Sequence, residues 1–255
     1  MFAKWFNKTG KNEEISIKND KINNWSFLGA DMHSHLIPGI DDGSKTIEES
    51  LMLIRSMIEM GYKTIITTPH IMIDYYPNNI DIITNGLILL QNALKENNIE
   101  ITIRAAAEYY IDEYFSDKLD NEPLLTINKN EVLVEFSMLF EPPMLNEVLF
   151  KMLKKGYRPI LAHPERYLFF HKNFDRFREF RDRGCLLQLN ILSLSGYYGN
   201  NIKNIAEQIL DNKMYDYCGT DIHHEKHALA IKSMIGTRTF QTLSNYSFLN
   251  SGITF

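Results

Sequence analysis

The chain has 255 residues, 44% of them hydrophobic, with a formal net charge of −5. That length suits one large globular domain, and an acidic balance without any long Lys/Arg run excludes a basic nucleic-acid footprint. Only two cysteines occur, Cys185 and Cys218, both in apolar strand-like surroundings. They are too few for a disulfide scaffold, and they read as core residues of a protein of the reducing cytoplasm.

The chain starts with apolar Met1-Phe2-Ala3 and Trp5-Phe6, but Lys4, Lys8, Lys11 and Glu13-Glu14 interrupt them before a signal-peptide core could form. Residues 1–28 therefore read as a polar extension, and 29–255 as a single domain. No stretch approaches the roughly 18 apolar residues that a membrane span requires. Residues 29–35 read as a strand. Thr46-Ile47-Glu48-Glu49 matches a capping box, opening a helix striped by Ile47, Leu51, Ile54 and Ile58 and stopped at Gly61. Residues 63–68 are a β-branched strand ending at Pro69-His70, followed by a helical stripe at Ile80, Ile83, Leu87, Leu90 and Leu94. Strands are then expected at 99–107, 131–136, 158–162, 185–192 and 214–219. Helices fall at 145–153, 174–182, 202–210 and from about 228.

Such alternation predicts parallel βαβ units, and about seven of them in one domain predict an α/β fold of the closed, TIM-like barrel type. A doubly wound open sheet is the alternative, but it would gather polar residues at one crevice. Here they follow nearly every strand. His33 and His35, His70, Glu108, His163, and Asp221 with His223 each stand where a strand ends. Residues i and i+2 of a strand share a face, so His33 and His35 can reach one ion, and Asp221 and His223 repeat that spacing. Imidazole and carboxylate without thiolate suit divalent manganese, zinc or iron, and such a multinuclear site suits metal-assisted hydrolysis. Asp41-Asp42-Gly43 alone is an ordinary turn signal. Arg166, three residues past His163, is placed to grip a phosphate bidentately, or else to form a salt bridge to Glu165 or a neighbouring helix. His171, His224 and His227 lie off the strand ends and are expected to be solvated.

Taken together, His33-Ser34-His35, Ile40-Asp41-Asp42-Gly43, Thr68-Pro69-His70, Ala107-Glu108-Tyr109-Tyr110, Ala162-His163-Pro164-Glu165-Arg166-Tyr167 and Thr220-Asp221-Ile222-His223 resemble the PHP (polymerase and histidinol phosphatase) superfamily. The Asp-Asp-Gly turn and the Ala-Glu-Tyr-Tyr and His-Pro-Glu-Arg-Tyr stretches resemble its bacterial capsular-polysaccharide tyrosine-phosphatase branch, over about residues 29–247. The resemblance implies a distorted (β/α)7 barrel holding two to three divalent ions, commonly manganese. It also implies the ligands His33, His35, Asp42, His70, Glu108, His163, Asp221 and His223, with Glu108 bridging and Arg166 binding phosphate. The implied substrate is a phosphotyrosyl protein, the C-terminal tail of an autophosphorylating kinase of capsule or exopolysaccharide synthesis. One departure is His223-His224-Glu225-Lys226-His227, where many members continue Asp-x-His-Asn.

Chemistry argues in the same direction. A phenolate leaving group has a parent pKa near 10 against about 15 for an alkoxide, so phosphotyrosine is the easier ester to cleave. The thiol route needs a Cys-x5-Arg loop, but Ile191 and His224 stand where Cys185 and Cys218 would need arginine. A small-molecule phosphoesterase of the histidinol-phosphatase type is the alternative, and it would need extra basic residues around a closed pocket. A metal-binding adaptor without turnover is disfavoured by so full a ligand set.

Overall fold

Strands pair in parallel wherever two of them meet in the computed structural model, which describes residues 22–253. The first 21 residues of the expected extension lie outside the described residues. The chain begins with β1 (Ala30–Asp31), α1 (Ile47–Glu59), β2 (Thr64–Thr67), β3 (His70–Ile71), α2 (Ile80–Glu96), β4 (Thr102–Ala105) and β5 (Glu108–Tyr110). It continues with α3 (Glu113–Asn121), β6 (Glu131–Glu135), α4 (Leu145–Lys154), β7 (Arg158–Ala162), α5 (Asp175–Asp182) and β8 (Leu186–Asn190). The last elements are α6 (Ile191–Ser195), α7 (Asn200–Asp211), β9 (Tyr217–Gly219), α8 (Glu225–Ser233) and α9 (Arg238–Ser244).

Two sheets result, ordered β1-β2-β4 and β3-β5-β6-β7-β8-β9. They are parts of one wall. Pro69, which cannot donate a ladder hydrogen bond, separates β2 from β3, and Ala106-Ala107 separate β4 from β5. The two interrupted strands stay in step across the gap, since Ala106 N donates to Thr67 O at 2.9 Å and Glu108 N to Pro69 O at 3.1 Å. The circuit closes just past β1 and β9. Ser34 bridges Ile222 in parallel, Asp221 N donates to His33 O at 2.8 Å, and His35 N donates to Ile222 O at 3.0 Å. The result is a distorted (β/α)7 barrel.

Period-2 alternation sorts each strand's side chains between two cores. Met32, Ile66, Leu133, Ile160, Leu186 and Tyr217 fill the lumen, while Leu53, Leu90, Val132, Val134 and Leu187 belong to the larger layer that includes the helices. In β6 this puts Glu131, Leu133 and Glu135 on the inner face. Glu131 accepts from Tyr217 Oη at 2.6 Å low in the lumen, and Glu135 arrives at the rim.

Several boundaries differ from the sequence reading, each for a local reason. The strand expected to reach Leu192 stops at Asn190, whose Oδ1 accepts from Leu192 N at 2.9 Å and caps α6. Helix α3, absent from that reading, starts at Asp112, whose carboxylate accepts from Phe115 N at 2.7 Å. Residues 25–28, read as part of the extension, belong to the fold. Trp25 is fully buried edge-on to Phe240, ring centroids 4.9 Å apart, and its N donates to Met60 O at 2.8 Å. No helix among the described residues is long and apolar enough to cross a membrane.

Candidate metal centre

His33 and His35 follow β1 and bring their Nε2 atoms to 3.3 Å. Two glycines make room for this. A Cβ on Gly219 would lie 2.7 Å from His33 Cβ, and one on Gly43 would lie 2.2 Å from the His35 carbonyl oxygen. Each imidazole is held from behind: His33 Nδ1 by Gln188 Oε1 at 3.0 Å, and His35 Nδ1 by Asp41 Oδ2 at 2.8 Å. Because both partners are oxygens, Nδ1 donates and Nε2 presents its lone pair inward.

Those two nitrogens meet two carboxylates. Glu108 Oε2 stands 3.1 Å from His33 Nε2 and 3.4 Å from His35 Nε2; Asp221 Oδ1 stands 3.3 and 3.4 Å from the same atoms. Ligands about 2.0–2.1 Å from a single ion in tetrahedral array stand about 3.3 Å from one another, and the two Nε2 atoms with Glu108 Oε2 have that mutual spacing, as ligands of one ion would. Without a cation, such groups hold protons. Burial opposes charge on His35, but Asp41, Asp221 and Glu108 overcome it and lift the imidazole well above its usual pKa. Burial likewise works to raise Glu108, yet His33 and His70 hold it well below the carboxylate range. A metal would displace those protons.

Further groups adjoin this one. Glu108 uses its second oxygen, Oε1, 3.2 Å from His163 Nε2, which gives it the geometry of a bridge. Glu135 Oε1 lies 3.1 Å from His70 Nδ1 and its Oε2 lies 3.7 Å from His163 Nε2. His70 Nδ1 is buried and makes no hydrogen bond, although Glu108 Oε2 is also only 3.2 Å away. A ring nitrogen aimed at two carboxylates without a hydrogen bond is what a shared cation would satisfy. On the outer side, Asp42 Oδ1 lies 3.4 Å from both His70 Nε2 and His223 Nε2. A neutral imidazole has one lone pair, so His70 serves either the inner or the outer group.

The structure thus brings together all eight residues expected as ligands: His33, His35, Asp42, His70, Glu108, His163, Asp221 and His223. It adds Glu135, which the sequence reading passed over. The same rule that selected Glu108, a carboxylate at the rim end of a strand, would have found it. Asp41, read as a turn residue, accepts from His35 Nδ1, Gly43 N and His70 N. Two of the ligand candidates have left-handed backbone, His163 at φ 36° and Asp221 at φ 49°. Such conformations cost roughly 1–3 kcal/mol each in non-glycine residues and persist where the surroundings impose them.

Arg166 pairs with Asp221, not with Glu165: Nη1 donates to Asp221 Oδ2 at 3.0 Å, and the guanidinium lies 4.6 Å from the Tyr198 ring centroid. Glu165 is buried and accepts instead from Asn190 N at 3.0 Å and Tyr215 Oη at 2.9 Å. Arg166, Tyr198, Glu135 and His223 line a cleft of about 570 Å³ above the ligand cluster. His227, expected to be solvated, is only 7% exposed and also lines this cleft; its Nδ1 accepts from His223 N at 3.3 Å. Helix α8 turns it back over the site, and burial with the neighbouring His224 and His223 lowers its pKa to about 4. His224 is exposed at the same rim, whereas His171 is half-buried, its Nε2 bonding the Glu165 carbonyl oxygen at 2.7 Å.

A sequence model of the family described as capsular polysaccharide synthesis, CpsB/CapC, matches residues 29–233. The chain belongs to that family. Its CpsB/CapC relatives include the tyrosine-protein phosphatase CpsB of Streptococcus pneumoniae, 29% identical over 200 residues covering 76% of this chain and 82% of that one. Another is the tyrosine-protein phosphatase YwqE of Bacillus subtilis, 26% identical over 197 residues covering 77% and 78%. In three dimensions the chain matches a solved structure from work on YwqE and CpsB, described as unique metal-dependent tyrosine phosphatases. The TM-score is 0.73 at 23% identity, over 86% of this chain and 96% of that one. The lactonase Lmo2620 of Listeria monocytogenes shares the fold more distantly, with a TM-score of 0.55 at 13% identity over 90% and 96%.

Proposed function

We propose that this CpsB/CapC-family chain is a metal-dependent protein-tyrosine phosphatase of capsular or exopolysaccharide synthesis. Manganese is the resident ion in this reading, and the eight expected ligands together with Glu135 hold two or three ions. The observation that carries it is the pair of Nε2 atoms of His33 and His35, 3.3 Å apart with Glu108 Oε2 and Asp221 Oδ1 each 3.1–3.4 Å from both, beneath a cleft that Arg166 also lines. When bound, divalent ions supply Lewis acidity toward phosphoryl oxygens and make an attacking water more acidic.

The chain's own residues do the rest. Asp41 and Gln188 fix the imidazole tautomers that keep the Nε2 lone pairs turned inward. Asp221 and Tyr198 hold the Arg166 guanidinium at the cleft wall, where its planar fork matches a phosphoryl group. A phenolate leaves more readily than an alkoxide, which favours phosphotyrosine. Among the described residues lining the cleft, Arg166 is the only Lys or Arg, which argues against the basic pocket a histidinol-phosphate enzyme would need. The natural substrate in this reading is the phosphotyrosyl tail of an autophosphorylating kinase. A cytoplasmic location goes with it, and two free, buried cysteines suit a reducing compartment.

The test is a panel of phosphotyrosyl peptide, phosphoseryl peptide and histidinol phosphate, each assayed after chelation and after adding back manganese, zinc or iron. Turnover of the phosphotyrosyl peptide, lost on chelation and restored best by manganese, is the expected result. Faster turnover of histidinol phosphate, or activity indifferent to chelation, would refute the proposal.

A further inference from the structure

The mouth of the cleft carries large apolar side chains that phosphate chemistry does not use. Tyr75 is 71% exposed, Leu139 84% and Phe140 59%. Tyr75 and Leu139 border the cleft from different loops, β3–α2 and β6–α4, and Phe140 continues the surface outward. Neither loop is slack. Tyr75 N and Tyr76 N both donate to Met72 O, at 3.1 and 2.7 Å, and Met72 N donates to Tyr76 O at 3.0 Å. Leu139 N donates to Ser137 Oγ at 3.2 Å, and Pro142-Pro143 stiffen the chain behind it. Exposed apolar groups on a fixed backbone lose little conformational freedom when a partner covers them, and such patches mark interaction sites.

Charge narrows the choice of partner. Asp74 precedes Tyr75, and Asp112 and Glu113 follow Tyr110, which also lines the cleft. Burial first, and then the charges of Glu113 and Asp74, hold the Asp112 carboxyl above its usual pKa. A second acidic chain laid along this edge would meet like charge, whereas an apolar one would cover Tyr75, Leu139 and Phe140.

We propose that these residues form a ledge for the positions flanking phosphotyrosine in an extended protein substrate, selecting apolar neighbours over acidic ones. The inference rests on the phosphotyrosine-phosphatase reading above and adds to it the kind of sequence that is turned over. Continuity of the ledge with the cleft means that one peptide can seat its phosphotyrosine over the ligand cluster and its next side chain against Leu139.

The test uses the manganese-loaded full chain with two phosphotyrosyl peptides, one flanked by leucine and phenylalanine and one by glutamate, and with p-nitrophenyl phosphate, which has no flanks. The apolar peptide should exceed the acidic one by about tenfold in kcat/KM, the discrimination a single apolar pocket contact commonly gives. In the Leu139→Ser/Phe140→Ser variant that ratio should fall towards one, with an unchanged melting temperature because both side chains are exposed. Equal kcat/KM for the two peptides in the wild type, or a ratio that the double variant leaves in place, would overturn the ledge while turnover of p-nitrophenyl phosphate upheld the phosphatase. No turnover of p-nitrophenyl phosphate would overturn both.

Discussion

Replacing Asp41 by asparagine changes one atom of a residue that need not touch a metal, and it should still weaken metal binding. Three donors converge on its two oxygens: His35 Nδ1 at 2.8 Å and His70 N at 3.2 Å on Oδ2, and Gly43 N at 2.9 Å on Oδ1. An amide has only one oxygen. If that oxygen stays with His35, the NH2 group faces Gly43 N–H, leaving a buried donor unpaired at a cost of about 1–3 kcal/mol. If it turns to Gly43, His35 must adopt the other tautomer, with a proton on Nε2 where the lone pair was needed. Loss of such an orienting partner typically weakens metal binding about 10–100-fold. Equilibrium dialysis against graded manganese, with metal content measured afterwards, should show that shift alongside a lower melting temperature. A variant with the wild-type manganese titration and melting curve would refute the claim that Asp41 sets the His35 tautomer.

Other substitutions separate ligands from scaffold. Glu135→Gln should lower metal stoichiometry and reduce phosphotyrosyl turnover by at least about a hundredfold, since it removes the charge that faces His70 and His163; full metal content in that variant would exclude Glu135 as a ligand. Asp31, fully buried against Thr220, has its pKa pushed up to about 6, chiefly by burial. Because the folded state holds the proton more tightly, stability is lost as pH rises from about 4 through 6, by about 3 kcal/mol for one such group. Asp31→Asn, measured in chelator, should therefore flatten that decline and melt higher than wild type at pH 7; an equal slope in both proteins would disprove the assignment. Burial pushes the Cys185 thiol up to about 12, so iodoacetamide at pH 8 should leave it unmodified in the native protein and alkylate it only in denaturant. Rapid alkylation of the native protein at that pH would show a thiol more accessible than the structure has it.

Where local chemistry decides conformation, the sequence could be read well. Alternation of strand and helix revealed the barrel, and the strand ends pointed to His33, His35, His70, Glu108, His163, Asp221 and His223 because inward-facing imidazoles and carboxylates are conspicuous there. Asp42 was different: its Asp-Asp-Gly context is that of any turn, and only the resemblance to relatives picked it out. Glu135 was hidden in plain alternation, since Glu-Val-Leu-Val-Glu reads first as a buried strand, and its face is evident only once Leu133 is placed in the lumen. Long-range partnerships could not be read from spacing. Arg166 with Asp221, Asp41 with His35, and His227 folded back on His223 each depend on how loops cross the rim after the barrel has closed. Trp25 escaped for a related reason, because its burial depends on Phe240, which lies more than 200 residues further along the chain.

The seam of the barrel has a consequence for when the protein can work. The bonds that join the first strand's continuation to the last, from Asp221 N to His33 O and from His35 N to Ile222 O, involve the same short segments that supply His33, His35, Asp221 and His223. During synthesis, a ribosome-bound chain that has not yet released residue 223 has neither a closed wall nor a complete ligand set. Contacts between such distant positions form late, because the intervening loop must first be ordered. Assembly of the candidate metal site is thereby tied to synthesis of the chain through residue 223, and a product ending before it lacks both the seam and part of the donor set, however well its first half has folded.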